Sequence, residues 1–132
     1  LGKDKRGNDR KVVFFNARSG GNLVGVAFKV VAPDGYKGDI DIMMGVSPDK
    51  KITGIEILRH LETPGLGDKI VEKWWKDEFK GKSLEASKIS VKKDGGEIDQ
   101  FTGATISPRA VADAVRSGLE LYQKEYRDGR TG

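Results

Sequence analysis

Four stretches rich in β-forming residues, separated by short turn sequences, constrain the fold of this chain more than any other feature. Residues 12–15 and 23–31 flank a Ser-Gly-Gly-Asn turn at 19–22, and this pattern predicts a β-hairpin. Residues 36–46 and 52–60 alternate apolar and polar side chains, as half-buried antiparallel strands do. A Ser-Pro-Asp turn joins the last two segments.

The rest of the chain predicts helices that cover this sheet. Residues 66–79 carry apolar side chains at helical spacing, residues 89–91 indicate a short strand, and a long helix runs from Ser107 to about Tyr126. The apolar face of this last helix consists of Ala110 or Val111, Ala114 or Val115, Leu119 and Tyr122. We therefore expect an α+β domain in which a mainly antiparallel sheet packs against helices.

Length and composition indicate one small domain. The chain has 132 residues, 36% of them hydrophobic, which is enough for one core but not for two. We expect residues 1–10, which are polar and contain glycine, to form a flexible tail, and residues 11–132 to form the domain. No stretch of about 18 apolar residues is present to span a bilayer.

Charge and residue usage exclude several classes of function. The net charge is +4, but the basic residues are interleaved with 20 acidic ones, so nucleic-acid binding is not expected. Cysteine is absent, which excludes disulfides, thiolate metal sites and iron–sulfur ligation by this chain. His60 is the single histidine, and alone it does not predict a metal site. Redox chemistry would therefore need a bound organic cofactor.

The segment around Thr105 predicts a receptor for an anion. Thr105 stands just before the predicted helix, which opens with Ser107 and Pro108. The first turn of a helix has unpaired amide N–H groups and partial positive charge, and Arg109 adds a full cation there. A phosphate attached at Thr105 would be stabilised by these groups.

Two segments have distinctive sequences: residues 99–105 are Asp-Gln-Phe-Thr-Gly-Ala-Thr, and residues 62–67 are Glu-Thr-Pro-Gly-Leu-Gly. They resemble, in that order, the flavinylation motif and the Glu-Thr-Pro-Gly-Leu-Gly element of one family, the FMN-binding domain of the RnfG and NqrC proteins of membrane electron-transport complexes. The fixed positions of the flavinylation motif are filled by Asp99, Thr102, Gly103, Ala104 and Thr105. The resemblance covers roughly residues 11 to 126 and implies that Thr105 carries FMN through a phosphoester bond.

The resemblance also implies which other residues lie near the cofactor. It places the second segment beside the isoalloxazine ring, so the contact candidates there are Glu62, Thr63, Gly65, Leu66 and Gly67. From spacing alone, the two glycines instead indicate a tight turn between a strand and a helix. His60 is either a neighbour of the ring or a capping group at the strand end.

The aromatic and acidic candidates also have structural alternatives. Phe101 either covers the flavin or anchors its turn in the core, and Asp99 is expected to shape the loop by accepting backbone N–H bonds. Trp74 and Trp75 are adjacent on a predicted helix and point about 100° apart, so at most one can face a ligand. We expect at least one of them to fill the core.

The resemblance implies an electron carrier rather than a self-contained catalyst, and no catalytic residue is predicted. A separate FAD-dependent, Mg²⁺-requiring flavin transferase would attach the FMN. The chain would then act with the other subunits of an ion-translocating complex, preferably an Rnf-type ferredoxin:NAD oxidoreductase, on the extracytoplasmic side of the inner or plasma membrane. An anchor outside this chain would hold it there. The alternatives are an NqrC-type protein, a noncovalent FMN binder, and a binding module without a cofactor.

Overall fold

A four-stranded antiparallel sheet forms the first half of the protein. The structure, a computed structural model, describes residues 13–125. The strands are β1 (Phe14–Ser19), β2 (Asn22–Ala32), β3 (Ile40–Val46) and β4 (Ile52–Arg59). They lie in the order β1-β2-β3-β4, and each pairs with its sequence neighbour. The hairpin and the two alternating strands predicted from sequence are thus confirmed.

The core lies between one face of this sheet and the helical half of the chain. Alternate residues of β3 are fully buried, namely Ile40, Ile42, Met44 and Val46. One long helix, α2 (Ile106–Glu125), packs against β2 and β3. Both members of each predicted apolar pair on this helix are buried, together with Leu119 and Tyr122. The predicted α+β architecture is therefore confirmed.

The segment between the sheet and α2 differs from the predicted single helix. Residues 67–79 form a 3₁₀ turn at Gly67–Val71, a four-residue helix α1 (Lys73–Lys76) and a second 3₁₀ turn at Asp77–Phe79. The break falls at Glu72, whose backbone is extended. The prediction of one continuous helix was wrong, because apolar spacing does not reveal an extended residue inside the run.

The first strand extends to Ser19, beyond the predicted 12–15, and further parts of the prediction also differ from the structure. The third strand begins at Ile40 rather than Tyr36, and residues 89–91 contribute only an isolated bridge between Val91 and Ile98. Helix α2 begins at Ile106, which places Pro108 third rather than first in the helix. The predicted tail and the end of the last helix at Tyr126 lie outside the described residues. Within residues 13–125, no helix is both long and apolar enough to cross a membrane.

Candidate functional site

A cavity of about 310 Å³ opens where three loops meet at the start of α2. The loops are the β2–β3 connection, the segment that follows β4, and the turn that precedes α2. The lining residues are Tyr36, Lys37, Thr63, Leu66, Gly67, Gly103, Ala104, Thr105, Ile106 and Ser107. The volume falls at the lower end of the range for small-molecule sites. Both sequence motifs contribute to this one cavity.

Thr105 lies in this lining, directly before the first residue of α2. Its carbonyl oxygen accepts the amide hydrogen of Arg109 at 3.1 Å, which starts the helix, and the residue is half-buried. Its hydroxyl has no hydrogen-bond partner among residues 13–125, and the same is true of the amide N–H groups of Ile106 and Ser107. A residue with a free hydroxyl therefore lines the cavity directly before a helix start whose first N–H groups are free among residues 13–125.

The turn before Thr105 is fixed by its glycine and by the core. The amide of Ala104 donates to the carbonyl oxygen of Phe101 at 3.0 Å, and Gly103 between them has a φ of +75°. A β-turn whose third residue has a positive φ favours glycine at that position. Phe101 is 5% exposed and packs edge-on against Trp75, with 5.5 Å between ring centroids. It does not line the cavity, so the anchoring alternative describes its position.

The two tryptophans have different environments, as expected. Trp75 is fully buried, and its indole N–H donates to the carbonyl oxygen of Asp99 at 2.8 Å. Trp74 is 52% exposed and packs edge-on against the ring of Phe101, with 6.1 Å between centroids. Trp75 thus ties the start of the segment at 99–105 to the core.

Asp99 does not shape its loop in the predicted way. Its carboxylate forms an ion pair with Lys92 and interacts with the carboxyl group of Glu78, while its own amide donates to Glu78 at 2.8 Å. The hydrogen bond with Glu78 has the largest effect on the pKa of Asp99, the interaction with Lys92 the next largest, and both lower it. Burial has the largest effect on the pKa of Glu78, the neighbouring Asp99 the next largest, and both raise it. Asp99 therefore belongs to a charge cluster outside the cavity lining.

Glu62 is buried behind the cavity wall, with 5% of its surface exposed. Its carboxylate accepts the amide hydrogens of Tyr36 and Lys37, each at 2.9 Å, and the hydroxyl hydrogen of Ser107. Burial would raise the pKa of Glu62, but these hydrogen bonds outweigh burial and hold the pKa below its usual value. Glu62 thereby joins the β2–β3 connection to the first turn of α2.

Gly67 has a packing reason for lacking a side chain. A Cβ atom at this position would lie 2.3 Å from the Oγ of Ser107 and 3.1 Å from the Cβ of Glu62. Gly65 has a φ of +78° with open space around it, which fits the tight-turn alternative. Leu66 is 42% exposed and lines the cavity, whereas Gly65 does not.

The remaining predicted site residues are His60, Thr102 and Arg109, and none of them lines the cavity. His60 accepts the amide hydrogen of Glu62 at its Nδ1 atom, at 3.0 Å, which is a capping role. Arg109 binds Asp94 through two hydrogen bonds of 2.8 and 3.1 Å, so its charge is already paired. Thr102 is exposed in the turn. In the described part of the chain, no cluster of three or more His, Cys, Asp or Glu residues is arranged to hold a metal ion.

The residues present suit a flavin phosphate. The side chains of Tyr36, Leu66 and Ile106 are exposed apolar surface at the cavity, while the free N–H groups at the helix start suit an anion. None of the lining residues, all of which belong to the described part of the chain, is acidic. Tyr36, Lys37 and Ile106 were not predicted from sequence, and Ser107 was predicted only as the start of the helix.

Comparison with known proteins agrees with this geometry. Residues 35–120 match the FMN-binding domain family. The chain belongs to this family. It is 43% identical over 98% of its length to the G subunit of the ion-translocating oxidoreductase complex of Aliivibrio fischeri, and 44% identical over 92% to that of Shewanella baltica. It spans 64% and 60% of these relatives' lengths.

Solved structures of related proteins share the fold. NqrC of Shewanella oneidensis superposes with a TM-score of 0.64 at 26% identity, covering 83% of this chain and 57% of NqrC. Its counterpart in the Na⁺-translocating NADH-quinone reductase of Parabacteroides distasonis gives a TM-score of 0.65 at 26% identity, covering 84% of this chain and 60% of that protein. The FMN-binding fold of this chain is thus shared by proteins of two kinds of ion-translocating complex.

Proposed function

We propose that this domain carries FMN joined through its phosphate to the Oγ1 atom of Thr105, and that it serves as an electron-transfer subunit. The observation that carries the proposal is the position of Thr105. Thr105 lines the cavity, its hydroxyl is free of hydrogen bonds to residues 13–125, and it directly precedes a helix start whose first amide N–H groups are also free among those residues. A phosphate held there would face the positive end of α2.

The proposed contact set is drawn from the residues that line the cavity. Ile106 and Ser107 present amide N–H groups for phosphate oxygens, and Leu66, Tyr36 and Ile106 present apolar surface for a ring system. Glu62 and Gly67 act indirectly, because they hold the loop and the helix start together. Bound FMN supplies the ability to accept two electrons and release them one at a time.

Attachment needs a second protein. The oxygen of Thr105 would attack the phosphorus of the FMN half of FAD, the phosphoanhydride bond would break, AMP would leave, and the hydroxyl proton would be lost to a base. No described side chain is hydrogen-bonded to the Thr105 hydroxyl to take that proton. We therefore assign the activation to an FAD-dependent, Mg²⁺-requiring flavin transferase, with this chain as its protein substrate.

We further propose that the domain works in an Rnf-type ferredoxin:NAD oxidoreductase complex. The support is the 43% identity to a relative named as the G subunit of an ion-translocating oxidoreductase complex, against 26% identity to the NqrC structures. An NqrC-type role is the second candidate, favoured by the shared fold. In either complex, the domain would lie on the extracytoplasmic side and be held to the membrane by an anchor outside this chain.

Intact-mass measurement tests the covalent flavin. The chain is incubated with FAD and Mg²⁺, with and without a flavin transferase that is active on a control substrate. The wild type and a Thr105→Ser variant should gain the mass of FMN less water only with the transferase, and Thr105→Ala should gain nothing. Thr53→Ala, which changes an exposed threonine of β4, is the matched control and should gain the same mass as the wild type.

Two other outcomes would contradict the proposal. Absence of the mass gain with an active transferase would exclude covalent attachment. A yellow protein that loses its colour on denaturation would instead support a noncovalent FMN binder.

A further inference from the structure

Lys37 is a charged residue of the cavity that belongs to neither sequence motif. Among the lining residues, which all lie within residues 13–125, it is the only one with an ionised side chain at neutral pH. Its ammonium lies 5.7 Å from the centroid of the Tyr36 ring and has no carboxylate partner in the described part of the chain. A lysine without a carboxylate partner among the described residues therefore lines the same cavity as Thr105.

The backbone of this lysine is fixed in place. The amide N–H groups of Tyr36 and Lys37 each donate to one oxygen of the Glu62 carboxylate, at 2.9 Å. Ser107, in the first turn of α2, donates to the same carboxylate. Glu62 is therefore a positioning residue that holds the lysine backbone next to the helix start.

The carboxylate of Glu62 forms no ion pair with the ammonium of Lys37. It is 5% exposed, is not among the residues that line the cavity, and accepts hydrogen bonds from the amides of Tyr36 and Lys37 and from the hydroxyl of Ser107. Arg109, the cation predicted from sequence, is paired with Asp94 and also lies outside the lining. The cavity side chain that can face an anion with a full positive charge is therefore that of Lys37.

We infer that Lys37 is a binding residue for the negative charge of FMN, held in position by Glu62. The inference rests on the proposed function. The negative charge of FMN would come from two places. One is the phosphate ester at Thr105, and the other is the ring system, which becomes negatively charged when it is reduced. A cation near either one would stabilise it by an amount that decreases as salt is added.

The test compares proteins loaded with FMN by the transferase. Lys37→Gln removes the charge and Lys37→Arg keeps it, while Lys124→Gln is the matched control. Lys124 lies 18 residues beyond the start of α2, about 27 Å along the helix axis. The readouts are the flavin midpoint potential at several salt concentrations and the ³¹P chemical shift of the phosphate.

If Lys37 faces the ring, Lys37→Gln should shift the potential to more negative values and weaken its salt dependence, whereas Lys37→Arg and Lys124→Gln should match the wild type. If Lys37 faces the phosphate, the ³¹P resonance should shift in the Gln variant alone. The inference would also be supported if the Lys37→Gln variant did not take up FMN while its circular dichroism spectrum matched that of the wild type and Lys37→Arg took up FMN normally.

Two results separate the inference from the proposed function. If the wild type loads and Lys37→Gln matches it in both readouts, the role of Lys37 is overturned and the covalent flavin stands. If the wild type does not load despite an active transferase, the proposed function fails and the inference falls with it.

Discussion

Ser107 donates its hydroxyl hydrogen to the carboxylate of Glu62, 45 residues earlier in the chain, and both residues are buried. This contact joins the segment at 62–67 to the first turn of α2, which follows the segment at 99–105. It also explains why the loop carries glycine at position 67, where a side chain would collide with the Ser107 hydroxyl.

The Glu62 carboxylate should make stability depend on pH. Its pKa is held below the usual 4.5 by hydrogen bonds that outweigh the effect of burial. Its contribution is therefore fully present above pH 4.5 and is lost as the pH falls through the lowered value. Glu62→Gln should cost about 2 kcal/mol near pH 7, because bonds to a charged acceptor are lost.

Urea unfolding of Glu62→Gln and the wild type between pH 7 and pH 3 would measure this effect. The difference between the two proteins should shrink on acidification. Glu85→Gln, which changes an exposed glutamate, should show no such trend. A constant difference over the whole range would mean that the ionised carboxylate does not stabilise the fold.

Gly67→Ala should destabilise the protein by about 1–3 kcal/mol, as overpacking of a close contact does. Ser107→Ala in the same chain should relieve part of that loss, because the nearest atom, the Oγ at 2.3 Å, is removed while the Ser107 Cβ at 3.1 Å remains. The two changes should therefore be less than additive in urea unfolding. Strict additivity would show that the loop moves away from the helix instead.

The adjacent tryptophans offer a matched pair of substitutions. Trp75→Phe should cost about 2–4 kcal/mol, since it opens a void in the core and leaves the Asp99 carbonyl without its donor. Trp74→Phe should change the free energy of unfolding by no more than about 0.5 kcal/mol, because the side chain is 52% exposed. Equal losses in chemical denaturation would contradict the assigned environments.

Arg109→Gln should leave flavin attachment intact. The guanidinium is bound by Asp94, so its loss removes a partly exposed ion pair and changes the free energy of unfolding little. Asp94→Asn, which breaks the pair from the other side, should have a similar effect. Intact mass after transferase treatment measures attachment, and a missing mass gain in the Arg109 variant alone would restore the role predicted from sequence.

Side-chain patterns in the sequence predicted the sheet and α2, because their burial follows a regular period. The pattern of β3, Asp-Ile-Asp-Ile, and the three- and four-residue spacing of α2 both correspond to buried faces in the structure. The segment at 66–79 shows where this signal fails. Its spacing is helical, but Leu66, Val71 and Trp74 are exposed, and the chain is extended at Glu72.

The sequence did not predict the Tyr36–Lys37 wall for a different reason. This wall is attached to Glu62 through backbone N–H groups, which every residue except proline has. The identities of the side chains at 36 and 37 therefore do not reveal the contact. The pairing of Arg109 with Asp94 was equally hidden, because Asp94 comes close only through the folded path of the chain.

The segments that form the cavity are synthesised at different times, because they are far apart in the sequence. Glu62 emerges 26 residues after Tyr36 and 45 residues before Ser107, so a chain stopped after the sheet would have the wall without the helix start. A short peptide of the flavinylation motif would likewise present Thr105 without its surroundings. The pocket is thus one of the last features to form during synthesis, and a flavin enclosed there would mark a domain that has finished folding.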